Sequence, residues 1–485
     1  LVNAYGYGIE CIDYSTCNLD NINSKYNGQA GVRVGNNSTS TITSSNISNN
    51  SSHGIYTTDS SIEIDNTIID SNTHAGGAGG GIYTSISNVL IANSTISGNA
   101  CSTKGGGVYY WEGLGLEITN TIIRDNQAQG SHGGGLYIAY SPGAININQS
   151  SILDNSAVTD GGGLYIYEST VSIDDCNISN NETLDGSGGG LYISSNSNDE
   201  VNINNSNISS NSASRAGGLF LAGENILIKN SLINGNIADE TGGIYVLNNS
   251  GSVPNLENLT VINNQSLVTS SSGISATRGV FKNIIVFGNN SVGVDGEIVH
   301  PNTNYTDISY SLLPFDFETN FSADPQLNED YTLKASSPCI DAGDPSSELD
   351  PDGTRADMGA YPFEQIQNTI ELHSGNNLIS FYAIPKDNSL NNVLSSLGGN
   401  ADGIIAEGVA ASNLNGNWVG SLSSIQPGKG YWLNMEQSAT LTITGIPIQP
   451  DQLYDLHTGN NLISYPFNNP SPITNVIPDI YEGSF

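Results

Sequence analysis

The apolar residues of this chain fall in short alternating runs, not in helical stripes. Val89-Leu90-Ile91, Leu116-Glu117-Ile118, Ile145-Asn146-Ile147, Val171-Ser172-Ile173 and Val201-Asn202-Ile203 each set two aliphatic residues two positions apart. That is the period of a half-buried strand. Two landmarks recur with these runs. Glycines followed by an aliphatic and an aromatic residue end at Gly81, Gly107, Gly135, Gly163, Gly190, Gly218 and Gly243, a spacing of 25 to 28 residues. Asparagine closes a polar turn at Asn99, Asn126, Asn155, Asn181, Asn211 and Asn236. A unit of this length, with three short strands and three turns, buries its apolar residues only by stacking on its neighbours. The pattern therefore predicts an all-β fold, a right-handed parallel β-helix.

Shorter units extend the pattern backwards through Gly8-Ile9, Gly31-Val32 and Gly54-Ile55, with turn asparagines Asn27, Asn50 and Asn72; forwards it reaches Gly273-Ile274 and Asn289. About eleven coils at ~4.8 Å each predict a rod about 50 Å long. The alternation also assigns faces. The aromatic after each glycine run is flanked mostly by aliphatic residues, so Tyr56, Tyr83, Tyr109, Tyr137, Tyr165, Tyr192, Phe220 and Tyr245 are expected to face outward as an exposed ladder. Such rings stabilise a sheet by packing on each other, and a stripe of them could also take sugar rings or a partner protein. The asparagine column from Asn27 to Asn289 is expected to be structural, stacking its amides and tolerating left-handed backbone geometry.

The repeat covers residues 1–295. Residues 296–365 are expected to cap its open end, because an uncovered coil exposes strand edges and core. A small β-sandwich-like domain follows over 366–446, with Trp418, Trp432 and the alternating Thr440-Leu441-Thr442-Ile443-Thr444. Its opening, Leu372-His373-Ser374-Gly375-Asn376-Asn377-Leu378-Ile379-Ser380, returns at Leu456-His457-Thr458-Gly459-Asn460-Asn461-Leu462-Ile463-Ser464, so 447–485 reads as the start of a second copy.

Charge then narrows the function. Twelve Lys and Arg against 47 Asp and Glu give a net charge of −35, which repels nucleic-acid phosphates and anionic lipid alike. No stretch approaches the ~20 apolar residues that span a bilayer, and a chain starting at Leu1 without a basic, apolar leader is expected to be a mature or trimmed piece. Of five cysteines, Cys11 and Cys17 are near enough in sequence to pair, and the odd number leaves at least one thiol free. Asn-x-Ser/Thr sequons such as Asn93-Ser94-Thr95 follow from the repeat itself and do not imply glycosylation.

Chemistry is sparse. Proton abstraction from a sugar needs a poised Arg or Lys beside acids, and the rod holds only Lys25, Arg33, Lys104, Arg124, Arg215, Lys229, Arg278 and Lys282, with no pair expected at one position on adjacent coils except Arg278 and Lys282. Asp174-Asp175 is the rod's paired carboxylate, one member outward and one at a turn. His53, His74 and His132 precede glycine turns, His373 and His457 are equivalent repeat positions, and His300 is isolated. No catalytic residue is expected. The one cation site suggested is calcium on Asp350, Asp352 and Asp357 with Asp341 and Asp344, hard oxygens around an Asp-x-Asp-Gly loop; Arg355 offers the alternative of a salt-bridged loop.

The Gly-Gly-x-aliphatic-aromatic and asparagine units resemble the polymorphic outer membrane protein-like β-helices of bacteria. Ser337-Pro338-Cys339-Ile340-Asp341-Ala342-Gly343 with Asp350-Pro351-Asp352-Gly353-Thr354-Arg355-Ala356-Asp357-Met358-Gly359-Ala360-Tyr361 is similar to the end segment of β-helices of the choice-of-anchor Q type. Gly416-Asn417-Trp418-Val419-Gly420 and Pro427-Gly428-Lys429-Gly430-Tyr431-Trp432 resemble tandem modules of secreted bacterial proteins. The resemblance implies an extracellular, surface-displayed stalk, adhesin or filament subunit, partnered by itself, by other surface proteins or by glycans; the alternative it implies is a carbohydrate-binding or polysaccharide-degrading protein.

Overall fold

The computed structural model describes residues 3–248, 251–268, 272–291, 298–299, 306–313, 319–448, 453–454, 456–459 and 461–465. His300 and the tail of the second C-terminal copy lie outside them. The chain forms two compact units: 1–333 with 337–344 and 357–362, and 334–336 with 345–356 and 363–485.

The first unit is the β-helix. Twelve parallel strands, from Ile9–Cys11 to Ile298–Val299, form one sheet, each entered from the glycine turn. Nine two-residue strands, Thr73–His74 to Asn290–Ser291, form a second. The third holds two strands from most coils, as in Gly115–Thr119 and Ile122–Arg124, which fuse into single strands at Ile226–Asn234 and Asn255–Ile262. Register is in phase, Ile82 opposite Val108 opposite Leu136 and Tyr83 opposite Tyr109 opposite Tyr137. Like residues therefore stack on like. The inward aliphatic positions, such as Ile118, Ile147, Ile173 and Ile203, make one continuous core at 0–1% exposure. The last glycine of each run is required by packing: a Cβ on Gly163 would sit 2.6 Å from the Gly190 carbonyl oxygen.

A second interior column accompanies that core. Asn27, Asn50, Asn72, Asn99, Asn126, Asn155, Asn181, Asn211, Asn236, Asn264 and Asn289 are all buried. Each side-chain amide donates to the next asparagine's Oδ1 at 2.8–3.0 Å. For Asn126 the Nδ2 also donates to Ile96 O (3.0 Å), and its Oδ1 accepts from both the backbone N–H and the Nδ2 of Asn99 (3.0 Å each). Two donors and two acceptor sites are thus all used, the full capacity of a primary amide. The left-handed backbone expected of this column belongs instead to the residue before it: Asn49, Ser71, Gly98, Asp125, Asp154 and Asn180 carry positive φ. The turn is tightest there, and the buried asparagine, in ordinary backbone geometry, is free to aim its amide along the rod.

Residues 337–344 and 357–362 pack on the rod's C-terminal coils. Gly359 N–H donates to Asn283 O (2.8 Å) and Ala360 N–H to Thr260 Oγ1 (3.0 Å), while Ala360 joins Leu232 and Ile262 in a small apolar cluster. Cys11 and Cys17 form a disulfide; Cys101, Cys176 and Cys339 are buried and outside it.

The second unit has two antiparallel sheets. Ile366–Leu372, Ala439–Pro447 and Ala383–Ile384 make one, and Gly375–Ser380, Gly430–Met435, Ala401–Ala406, Val409–Leu414 and Asn417–Gly420 the other, over a shared core including Leu441, Ile404, Tyr431 and Leu433. The two copies of the His-x-Gly-Asn-Asn motif fold alike. His373 N–H donates to Asn377 Oδ1 (3.0 Å) and Asn377 Nδ2 to His373 O (2.8 Å); His457 and Asn461 repeat both bonds at 2.9 Å. The motif's histidine and asparagine therefore make a turn.

Candidate functional site

Parallel in-register strands fix every aromatic of the glycine sheet above its predecessor. From Tyr56 to Tyr245 the eight rings stack with centroids 4.9–5.4 Å apart and planes within 3–16° of parallel. The ladder is less open than the alternation suggested. Tyr137, Tyr165 and Phe220 are only 3%, 8% and 3% exposed, because each ring is covered above and below and the glycine turn folds over its side. A Cβ on Gly133 would lie 2.9 Å from the Tyr137 Cβ. Burial pushes the Tyr137 hydroxyl up to about 12 and raises Tyr109, Tyr165 and Tyr192 as well. His132 stacks on Tyr165 at 4.5 Å, and His53 lies 5.2 Å from both Tyr56 and Tyr83. Lys104 Nζ lies 3.2 Å from Tyr137 Oη and 4.8 Å from that ring's centre.

Beside the middle of the ladder lies a second aromatic group that the reading of single columns passed over. Trp111 ends the strand Val108–Trp111 and Tyr167 ends Leu164–Tyr167, both on the outward side by alternation. They occupy one column two coils apart with Ala139 between them, and the column continues to Ser85 on one side and Ser194 on the other. Tyr140, 41% exposed at the turn after Ala139, presents its ring nearly perpendicular to both, 4.8 Å from Trp111 and 5.1 Å from Tyr167. Hydrogen bonds to Glu168 and Tyr140 push the Tyr167 hydroxyl up to about 12. Trp111, Tyr140, Ile86, Glu112 and Pro142 line an open depression of about 650 Å³. Two neighbouring outward aromatics in Tyr109-Tyr110-Trp111 and Tyr165-Ile166-Tyr167 were the signal available in the sequence.

The turns framing this group are locked. Tyr110 points inward and is fully buried, its hydroxyl accepting from Gly115 N–H (2.9 Å). Its ring fills the space where a Cβ on Gly113 would sit, 1.8 Å from Tyr110 Cζ. Gly113 N–H donates to Ser141 Oγ (3.2 Å) and Gly143 N–H to Gly113 O (3.2 Å), tying the two turns together.

Several of the rod's cations are engaged with carboxylates. Arg33 pairs with Glu10, Arg124 with Asp125 and Arg215 with Glu240, at 2.9–3.1 Å. Lys229, Glu257 and Lys282 share one column on three successive coils, an arrangement the sequence reading did not anticipate because Glu257 separates the lysines. Lys229 pairs with Glu257 and Lys282 with Asp344, both at 2.9 Å. Burial would raise Glu257, but its bonds to Lys229 and Asn255 and the nearby Lys282 outweigh that and hold it below the usual carboxylate range. Asp174 accepts from Ser172 Oγ (2.7 Å), and Asp175 sits at a left-handed turn, bonded to Asn205.

The carboxylates suggested for calcium belong to different units, and those of Asp357, Asp344 and Asp352 are met by protein donors. In the first unit Asp357 accepts from Asp341 N–H (2.6 Å) and Asp344 holds Lys282. In the second, Asp352 accepts from Thr354 N–H and Oγ1 (3.0 and 2.7 Å) and from Gln365 N–H (2.8 Å), while Asp350 N–H donates to Thr354 O (3.0 Å). Among the described residues no group of three or more His, Cys, Asp or Glu side chains is placed to hold a metal ion. Donors that satisfy a carboxylate leave it less able to replace a cation's water shell. Among the same residues no helix is long and apolar enough to cross a membrane.

Residues 7–170 match the family described as the right handed beta helix region. No curated protein matches. Among solved structures the chain is similar to the crystal structure of pectate lyase Pel9A, with 16% identity and a TM-score of 0.34 over 68% of this chain and 79% of that one. A likeness of that size carries no inference about activity. Family match and strand topology agree that this is a right-handed parallel β-helix protein.

Proposed function

We propose that this chain is a structural and adhesive rod of a bacterial cell surface, serving as a stalk, adhesin or filament subunit. The observation that carries the reading is the unbroken inner ladder from Asn27 to Asn289, in which each coil is bonded to the next through core, backbone and side-chain amide at once. Stability in such a stack adds coil by coil, which suits a part that must stay extended and resist proteases. The Cys11–Cys17 disulfide fits an oxidising, extracellular compartment. A net charge of −35 favours isolated rods over lateral bundles, so partners would bind at local patches or end to end.

The rival reading is polysaccharide cleavage. Lys229 and Lys282 are the rod's clustered cations, yet both ammonium groups are held by carboxylates.

Electron microscopy of the whole chain, with antibody labelling of intact cells, tests the proposal. Protease-resistant rods and labelling of unbroken cells are expected, and chelation should leave the rods unchanged. Compact particles, labelling only after lysis, or turnover of a glycan by the purified chain would overturn it.

A further inference from the structure

The adhesive part of that reading leaves the ligand unnamed, and the group beside the ladder supplies one. We propose that Trp111, Tyr140 and Tyr167, with Glu112 and Glu168, form a binding site for an uncharged glycan, whose hexopyranose rings stack on the aromatic faces while their hydroxyls donate to the two carboxylates. The inference rests on the rod reading and deepens it.

Three observations carry it. First, the rings are partly open to solvent, Tyr140 exposed and Trp111 and Tyr167 half-buried. One side of Trp111 receives the edge of Tyr140. The register partner of Trp111 on the preceding coil is the small Ser85, and Trp111 lines the open depression. Within the main ladder, by contrast, each ring's faces are taken by its neighbours. A pyranose has two apolar C–H faces and a polar rim, so it needs an aromatic face beside hydrogen-bond acceptors. Glu112 and Glu168 follow Trp111 and Tyr167 directly in sequence, each at a left-handed turn.

Second, charge selects among glycans. The surface is acidic overall, and the titratable groups adjoining the rings include the two glutamates, the tyrosine hydroxyls and, beside Glu168, Asp199. A carboxylated or sulfated chain would be repelled, whereas neutral hydroxyls find acceptors.

Third, the site is pre-organised. Tyr110 and Gly113 lock the turn after Trp111, and the bond from Gly143 to Gly113 links it to the turn after Tyr140. Little ordering is then left to be done on binding. Trp111 and Tyr167 are two strands apart, about 10 Å along the rod, and Tyr140 holds the space between them.

The protein has three tryptophans, at 111, 418 and 432, which makes the test direct. In the full chain carrying Trp418→Phe and Trp432→Phe, emission reports Trp111 alone. The probes are neutral hexasaccharides of glucose, mannose and galactose, with hexagalacturonate and hexaglucosamine as charged comparisons. At least one neutral probe is expected to give a saturable change that persists in about 0.5 M NaCl, where surface charge is screened. By calorimetry, Trp111→Ala and Tyr140→Ala should weaken binding at least about tenfold, the equivalent of one lost stacking contact. Tyr192→Ala, in the main ladder, should leave it unchanged. Saturation by no neutral probe, saturation by a charged probe alone, or equal weakening by Tyr192→Ala would overturn the site. Rods seen by microscopy without glycan binding would sink this inference and leave the structural role standing; binding by a chain that forms no rods would do the reverse.

Discussion

Asparagine lines this rod twice, inside and out, and the two columns do different work. The inner one, typified by Asn126, is fully buried, with both donors and both acceptor sites filled by adjacent coils. The outer one includes Asn66, Asn93, Asn120, Asn205 and Asn258 at left-handed turns. There Asn120 Nδ2 donates back to the preceding coil, to Asn93 Oδ1 at 2.7 Å, but both residues are exposed. Water can replace that bond and cannot replace the inner ones. One residue type thus serves as a hydrogen-bonded spine where buried and as a turn former where exposed. The aromatics divide the same way, between a ladder that covers itself and a Trp111–Tyr140–Tyr167 group that does not.

The sharpest way to break the contrast is Asn126→Ala. It leaves the Asn99 N–H without its acceptor and takes one hydrogen bond each from Asn99 Nδ2, the Ile96 carbonyl and Asn155 Oδ1 inside the rod, and should cost about 3–5 kcal/mol by urea unfolding. Asn120→Ala should cost below about 0.5 kcal/mol in the same assay. Next in size is the ladder. Tyr165→Ala removes a ring stacked on both sides and should cost about 3 kcal/mol, with the half-buried Tyr83→Ala clearly milder.

Histidines allow a third comparison. Burial drives His53 down to about 4, against its bond to Gly79 O and helped by His74. Its folded value lies below its unfolded one of 6.5, so the unfolded chain binds the extra proton. The stability held by neutral His53 is complete above about pH 6.5 and is lost as pH falls towards 4, by about 3 kcal/mol at most. His53→Gln should flatten that part of the pH–stability curve. The exposed His457, raised by its bond to Glu407 and then to Thr458 O, should leave the curve unchanged when replaced by Gln. Smallest is a kinetic effect: burial pushes the thiols of Cys101 and Cys176 up to about 11. Thiol reagents at pH 8 should modify them in the native rod far more slowly than in urea.

Most of the fold was legible because its periodicity is physical. The recurrence of Gly81, Gly107 and Gly135 at 26 and 28 residues follows from close backbone approach on every coil, and Ile118, Ile147 and Ile173 follow from one core. What one column at a time could not give was anything depending on two columns. The shielding of Tyr137 comes from a glycine turn folding sideways over it. The Trp111 group joins two strands and a turn, and the Lys229–Glu257–Lys282 column appears only once register is known. The left-handed residue was placed one position late, because asparagine's turn preference and its amide ladder predict the same letter.

A double-mutant cycle on the inner ladder tests most directly whether the coils are held through one continuous amide spine. Asn126→Ala, Asn155→Ala and the double variant would be unfolded in urea alongside the outer pair Asn93→Ala and Asn120→Ala. Coupling above about 1 kcal/mol inside and additivity within about 0.5 kcal/mol outside are predicted. Additive behaviour inside would contradict the spine and leave the rod's stability to its aliphatic core and backbone bonds alone.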